Sequence, residues 1–239
     1  MTFQCVRHLI ARARARARAR ALHILCVLCV LPFAACTILP APEPVDIYLL
    51  PASDSAPTSA DKASRPWSLR IARPDSNGQL LGQRILVILE PNRVSVYKGA
   101  NWHEPAALLM RNRLFGAFRT DGRVSALSIE EMRTFADYEL GSELGAFHSE
   151  YQQDNKPPQV VIKLDTRLID TTSRRIVASR AFEAREAAED SSIPSVVAAF
   201  GRAADRLSAE LVNWVITGGD AAYQPGTPAE SLPVGGGYP

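Results

Sequence analysis

The chain has 239 residues, a length that fits one domain or two small ones. Of these residues 46% are hydrophobic and 22% charged, a globular composition that excludes collagen-like, coiled-coil and wholly disordered chains. Its formal net charge of +2 depends on six arginines within residues 1–35, a segment without Asp or Glu. The remaining residues hold the other 21 Lys and Arg against 25 Asp and Glu, so they are mildly acidic and no nucleic-acid partner is expected. All four cysteines lie within the first 36 residues, which excludes a thiolate metal site in the rest of the chain. No metal and no cofactor are expected.

Residues 1–35 show the order of regions that is typical of a secretory signal peptide. A basic stretch with an Arg-Ala repeat precedes the apolar residues 21–35, and the small residues Ala34 and Ala35 stand before Cys36. Fifteen residues of helix rise about 22 Å, which is shorter than the ~30 Å hydrocarbon core of a bilayer. We therefore expect a cleaved signal rather than a permanent membrane span.

The segment from Phe33 to Cys36 resembles the lipobox of bacterial lipoproteins, in which the cysteine is acylated and becomes the new N-terminus. The resemblance implies that Cys36 is lipidated. Three acyl chains exceed the two signals that stable membrane anchoring requires. Thr37 stands where an Asp commonly retains Gram-negative lipoproteins in the inner membrane, so the expected location is the outer membrane, facing the periplasm.

The remaining chain is predicted to contain a linker, one α+β domain and a tail. Residues 36–66 carry the lipidated cysteine and six prolines, and a fully extended linker of this length would reach roughly 100 Å. Its apolar residues 47–50 predict a short first strand or a docking segment. The domain is expected at residues 67–217. Ten of the 22 residues at 218–239 are Gly or Pro, which predicts a disordered tail.

Alternating apolar and polar residues predict a mostly antiparallel sheet within this domain. The predicted strands are residues 67–73, 84–90, 93–98, 124–127, 137–151, 159–169 and 175–185. In the strand at 137–151, alternation places Tyr138 and Leu144 on one face and Glu143 and Phe147 on the other.

Apolar residues at helical spacing predict two main helices packed against this sheet. The first is expected at residues 102–119, because Asn101 and Glu104 have the spacing of a capping box. The second is expected to start at a cap on Ser191 or Ser192 and to end at Ile216. A short helix is predicted at residues 129–135.

The sequence offers few groups for catalysis. The part after Cys36 contains two histidines, His103 and His148, and lacks the motifs of zinc proteases, serine hydrolases and β-lactamases. We therefore expect no catalytic residues. A periplasmic enzyme that uses His103 or His148 is the alternative, because folding can bring distant catalytic residues together.

The order of several segments resembles the ABC-type transport auxiliary lipoproteins, the PqiC-like family. The segments that carry the resemblance are the lipobox Cys36, Tyr48–Pro51, the pair Val96-Tyr97, Trp102 with Glu104, Pro105 and Leu109 in NWHEPAALLMRNRLFGAF, and ADYELGSELGAFHSEY at Ala136–Tyr151. Together they cover about residues 36–216.

This resemblance implies a non-catalytic part of a lipid transport system that spans the Gram-negative envelope. The implied partners are an MCE-domain protein, which carries phospholipid or a related lipid, and the inner-membrane ABC transporter subunits. The lipoprotein would dock the outer-membrane end of the transport system. A homo-oligomer is compatible with that role. An envelope-assembly lipoprotein that chaperones another outer-membrane component is the alternative function.

Two aromatic residues near the first predicted helix are candidate partner contacts. Tyr97 and Trp102 lie around the strand-to-helix loop, and large aromatic side chains are common anchors of protein interfaces. The alternative for Trp102 is that its side chain fixes the helix start to the core.

Overall fold

The structure is a computed structural model that describes residues 44–52, 63–151 and 157–224. The described residues from Val45 onward belong to one compact unit. They form the strands β1 Asp46–Tyr48, β2 Leu69–Ile71, β3 Arg84–Glu90, β4 Arg93–Trp102, β5 Leu127–Ile129, β6 Tyr138–Glu150, β7 Gln159–Asp170 and β8 Arg175–Ala187. The helices are α1 Ala106–Asp121 and α2 Ile193–Ala222, with short 3-10 helices at Gly78–Leu81 and Glu130–Met132. Neither helix among these residues is long and apolar enough to cross a membrane.

Strand β6 organises the sheet. One of its edges pairs with β7 over its whole length, and β7 pairs in turn with β8. The opposite edge is shared between β2 at the beginning of β6 and β3 at its end, and both of these pairings are parallel. The order β1-β4-β3-β6 continues the sheet outward to β1. The long ladders are antiparallel, which confirms the predicted α+β domain with a mostly antiparallel sheet.

The hairpins β3–β4 and β7–β8 each turn through a residue in the left-handed backbone region. Asn92 lies at φ 64° between β3 and β4, and Arg174 lies at φ 56° between β7 and β8. In the second turn, Asp170 accepts hydrogen bonds from the backbone N–H and the hydroxyl of Ser173. These bonds lower the pKa of the Asp170 carboxyl, because they stabilise its charged form.

A β-bulge in β6 corrects the predicted orientation of Phe147. The register of β6 against β7 shifts between Leu144 and Ala146, which inserts one residue and reverses the alternation beyond that point. Phe147 is therefore buried in the core, 1% exposed, rather than on the face of Glu143.

The first helix begins four residues later than its sequence pattern predicts. Asn101 and Trp102 belong to β4, and the residue preceding α1 is Pro105. Strand β1 pairs in parallel with Ala100–Trp102 and holds this stretch extended. The predicted cap at Asn101 is therefore wrong. Glu104 instead accepts a hydrogen bond from the Asn112 side chain, 2.8 Å away.

The second helix starts as predicted, since Ser192 accepts the backbone N–H of Ser195. It ends at Ala222, six residues beyond the predicted end. The beginning of the predicted disordered tail at 218–239 is thus helical up to Ala222, and the rest of it, from residue 225, lies outside the described residues. The predicted helix at 129–135 is reduced to the 3-10 turn Glu130–Met132, preceded by β5.

The core lies between the sheet and the two helices. Its centre is an aromatic cluster in which Trp102 meets Phe200 edge to face at 5.1 Å, and Phe147 stacks on Phe200 at 4.7 Å between ring centroids. These rings come from β4, β6 and α2, so the cluster joins the middle of the sheet to the second helix.

Candidate functional site

Trp102 lies in the core, where its side chain is 1% exposed. Its indole meets Phe147 and Phe200, from β6 and α2. A side chain with so little exposed area offers no surface to a partner. The placement corrects the expectation that Trp102 contacts a partner and agrees with the alternative of a core residue beside the helix start.

Tyr97 lies on β4 with its ring half-buried. Its hydroxyl is 2.9 Å from the hydroxyl of Ser149 on β6. Burial raises the pKa of Tyr97 to about 12, so the phenol is neutral at physiological pH. Among the described residues, β4 pairs with β1 only at Ala100–Trp102, so the strand edge around Tyr97 is open. Tyr97 thus retains some surface for a partner.

The two histidines lie in different parts of the fold. His103 is an exposed residue just before α1, with its Nε2 atom 3.3 Å from Glu104. His148 lies on β6, with its Nε2 atom 3.8 Å from Glu150. Burial lowers the pKa of His148, which favours its neutral form. Each histidine thus lies beside a carboxylate.

The chain after β1 is attached to both helices, which the sequence did not indicate. The backbone N–H of His103 donates to the carbonyl of Tyr48 at 3.0 Å. The Pro51 ring packs against Gly201 of α2, where an added Cβ would lie 3.1 Å from the proline Cβ. The Arg113 guanidinium, from α1, donates to the Pro51 carbonyl and to Asp205 of α2. Residues 48–51 are therefore part of the folded domain.

A groove of about 820 Å³ runs between the two helices and the segment after β1. Its lining includes apolar side chains such as Leu109 and Val212, and the ion pair of Arg113 with Asp205. The hydroxyl of Ser208 is buried in this lining without a hydrogen-bond partner. Among the lining cations, Arg113 pairs with Asp205 and Arg123 with Asp121, whereas the exposed Arg119 guanidinium lies over the Phe115 ring. The groove therefore suits a segment of mixed polarity.

A second attachment holds the chain where it enters β2. Arg65 forms an ion pair with Asp220 at 2.9 Å, and the indole N–H of Trp67 donates to the same carboxylate at 3.0 Å. Trp67 is 1% exposed and packs against the last turns of α2. No local pattern indicates this contact, because 153 residues separate Trp67 from Asp220.

The described residues do not include Cys36, the predicted lipidation site, which lies before Pro44. Its lipidation therefore stays a prediction. Within the described residues, no cluster of His, Cys, Asp and Glu could hold a metal ion.

Solved structures with the same fold cover most of this chain. Protein XCC0632 from Xanthomonas campestris is 27% identical with a TM-score of 0.67, and the match covers 74% of this chain and 98% of that one. A second, uncharacterised protein is 16% identical with a TM-score of 0.56, and covers 72% of this chain and 99% of its own. The second likeness shows the fold alone. No curated protein matches this chain.

The model of one protein family matches residues 48–212. The matched range begins at the end of β1 and ends within α2, so it includes most of the groove lining and the contacts of residues 48–51 with both helices. Its description is ABC-type transport auxiliary lipoprotein component, which agrees with the resemblance seen in the sequence. This chain belongs to the family of ABC-type transport auxiliary lipoprotein components.

Proposed function

We propose that this protein is a non-catalytic lipoprotein of the outer membrane that serves an ABC transport system for phospholipid-like molecules. In this proposal an MCE-domain protein carries the lipid across the Gram-negative periplasm. The lipoprotein docks the outer-membrane end of this transport system. The family match over residues 48–212 is the observation that carries an auxiliary role beside an ABC transporter. The lipobox that ends at Cys36 supports anchoring through acyl chains. Thr37, at the position where an Asp retains lipoproteins in the inner membrane, supports a location in the outer membrane.

The folded β1 implies a shorter tether than the sequence predicted. Nine residue steps separate Cys36 from Val45, and an extended chain of that length spans about 30 Å. The predicted linker of residues 36–66 included β1 and the segment on the helices, which belong to the domain. We propose that the signal peptide covers residues 1–35 and that the tether ends near Val45. A domain on this tether stays close to the membrane that holds Cys36.

The groove between α1 and α2 is the docking surface that we propose for the periplasmic partner. Its volume is in the range of pockets that hold ligands. Arg113 is already paired with Asp205, and Arg123 with Asp121, so a docking segment would leave neither of these two charges buried alone. Tyr97 is a second candidate contact, on the open edge of β4.

Site-specific photocrosslinking in cells tests this function. A photoreactive amino acid would replace Arg119, an exposed residue that lines the groove, in the full-length lipidated protein. The matched control would place it at Arg175, an exposed arginine at the β8 hairpin. Captured proteins would be identified by mass spectrometry.

The expected result is capture of an MCE-domain protein at position 119 and not at position 175, together with recovery of ABC transporter subunits. Capture of barrel-assembly proteins alone would favour the alternative function, a lipoprotein that chaperones another outer-membrane component. Equal capture of the MCE-domain protein at both positions would contradict docking at the groove while leaving the transport role in place.

A further inference from the structure

We propose that the domain touches the bilayer directly through the apolar side chains of Val45, Ile47 and Leu49, which we call the β1 edge. This proposal rests on the lipidation of Cys36 given above and goes beyond it. It assigns the phospholipid surface itself as a second contact of the folded domain, in addition to the acyl chains.

The β1 edge exposes three large apolar side chains at alternate positions. The exposed fractions are 44% for Val45, 60% for Ile47 and 64% for Leu49, whose side chain also lines the groove. Tyr48 and Leu50 are partly buried against the core, whereas Asp46, between Val45 and Ile47, is exposed. From Ile47 to Leu50 the extended backbone thus separates an inward set from an outward apolar set, as alternation along a strand requires. Contiguous exposed apolar groups of this kind mark contacts with proteins or membranes.

The position of β1 in the sheet leaves these side chains accessible. Strand β1 lies at the end of the strand order and pairs with β4 alone among the described residues. Ile47 lies opposite Asn101, which lies opposite Arg84 on β3. Arg84 is exposed and stands two strands, about 10 Å, from Ile47. At this distance the Ile47 side chain can enter the boundary of the acyl chains while the Arg84 guanidinium contacts the lipid phosphates.

The length of the tether favours lipid as the occupant. Val45 is nine residue steps from Cys36, so the β1 edge cannot move more than about 30 Å from the acylated residue. Three apolar side chains bind a membrane weakly by themselves. The tether makes their contact intramolecular, and a short flexible connection gives an effective concentration of about millimolar. An apolar patch of low membrane affinity is therefore sufficient to hold the tethered domain against the bilayer.

A single introduced thiol can test the contact. The chain from Cys36 onward has no other cysteine, and acylated Cys36 carries no free thiol. Ile47→Cys in the full-length protein would therefore provide one site for a polarity-sensitive fluorescent label. Ile176→Cys is the matched control, because Ile176 is 56% exposed and lies on β8, five strands away from β1. The labelled, lipidated proteins would be placed in vesicles of phosphatidylethanolamine and phosphatidylglycerol with brominated acyl chains.

The expected result is a shift of the emission to shorter wavelength at position 47 and quenching several-fold stronger than at position 176. Equal quenching at the two positions, in protein that floats with the vesicles, would overturn the contact and leave the lipid anchor intact. Protein that does not float with the vesicles would contradict the anchor and the contact together. A label at position 47 that responds only after an MCE-domain protein is added would assign the β1 edge to a protein partner and overturn the proposal.

Discussion

At the scale of single residues, a substitution of Trp102 tests whether the chain just before α1 packs in the core or binds a partner. The side chain is enclosed by Phe147 and Phe200, so Trp102→Ala should leave a large cavity in the aromatic cluster. We expect a loss of about 3–5 kcal/mol in the free energy of unfolding, measured by urea titration. Tyr97→Ala is the control, since the Tyr97 ring is half-buried and its loss should cost less. An unchanged stability of Trp102→Ala with lost partner capture would reassign this residue to an interface.

Two glycines in helices should respond in opposite directions to alanine. A Cβ at Gly219 would lie 2.6 Å from Cζ2 of the buried Trp67 ring, so Gly219→Ala should destabilise the domain by about 1–3 kcal/mol. A Cβ at Gly116 in α1 would meet no atom within 4 Å. Gly116→Ala should therefore stabilise the domain by about 0.5–1 kcal/mol through the higher helix propensity of alanine. Thermal unfolding of both variants measures the difference, and equal shifts would refute the assigned packing of α2 on Trp67.

His148 should make the stability depend on pH. Burial lowers its pKa in the folded state from the usual 6.5, so the unfolded chain takes up the proton first as the pH falls. The contribution of neutral His148 is therefore complete above pH 6.5 and is lost progressively below that value. We expect His148→Gln to lose less stability than the wild type between about pH 7.5 and about pH 5.5. A wild-type pH dependence in His148→Gln would exclude this origin.

At the scale of elements, local patterns predicted most of the strands, missed one boundary of each main helix, and predicted a helix at 129–135 where the chain forms only a 3-10 turn. Alternation and turn residues were enough for β3, β6, β7 and β8, because these features lie within each segment. The capping-box spacing of Asn101 and Glu104 imitated a helix start. Strand β1, more than 50 residues earlier, holds Asn101 in β4. Likewise Gly218 and Gly219 locally indicate a helix end, whereas Trp67 occupies the space that Gly219 leaves.

Truncation at the end of α2 tests this boundary. A chain that ends at Gln224 keeps Asp220, which accepts from Arg65 and Trp67. We expect its melting temperature to equal that of the full chain. A chain that ends at Thr217 lacks the carboxylate and the last helical turn, so it should melt several degrees lower. The two truncated chains melting at the same temperature would show that the turn after Thr217 contributes nothing.

At the scale of the whole molecule, the fold class and the family were evident from the sequence, and the placement of the candidate site was not. Segment order indicated the family that the match over residues 48–212 shows. The groove depends on Pro51, Arg113 and Asp205, which come from three distant parts of the chain. Neither their pairing nor the burial of Trp102 follows from local spacing, because both arise from packing between elements.

The anchor at Cys36 is the central claim about the whole molecule. Its most direct test is separation of inner and outer membranes by density, followed by mass analysis of the mature protein, for the wild type and for Cys36→Ala. We predict a wild-type protein in the outer membrane that begins at Cys36 and carries acyl chains, and a Cys36→Ala protein absent from that fraction. Thr37→Asp is the matched control and should move the acylated protein to the inner membrane. A Cys36→Ala protein that still separates with the outer membrane would contradict the account.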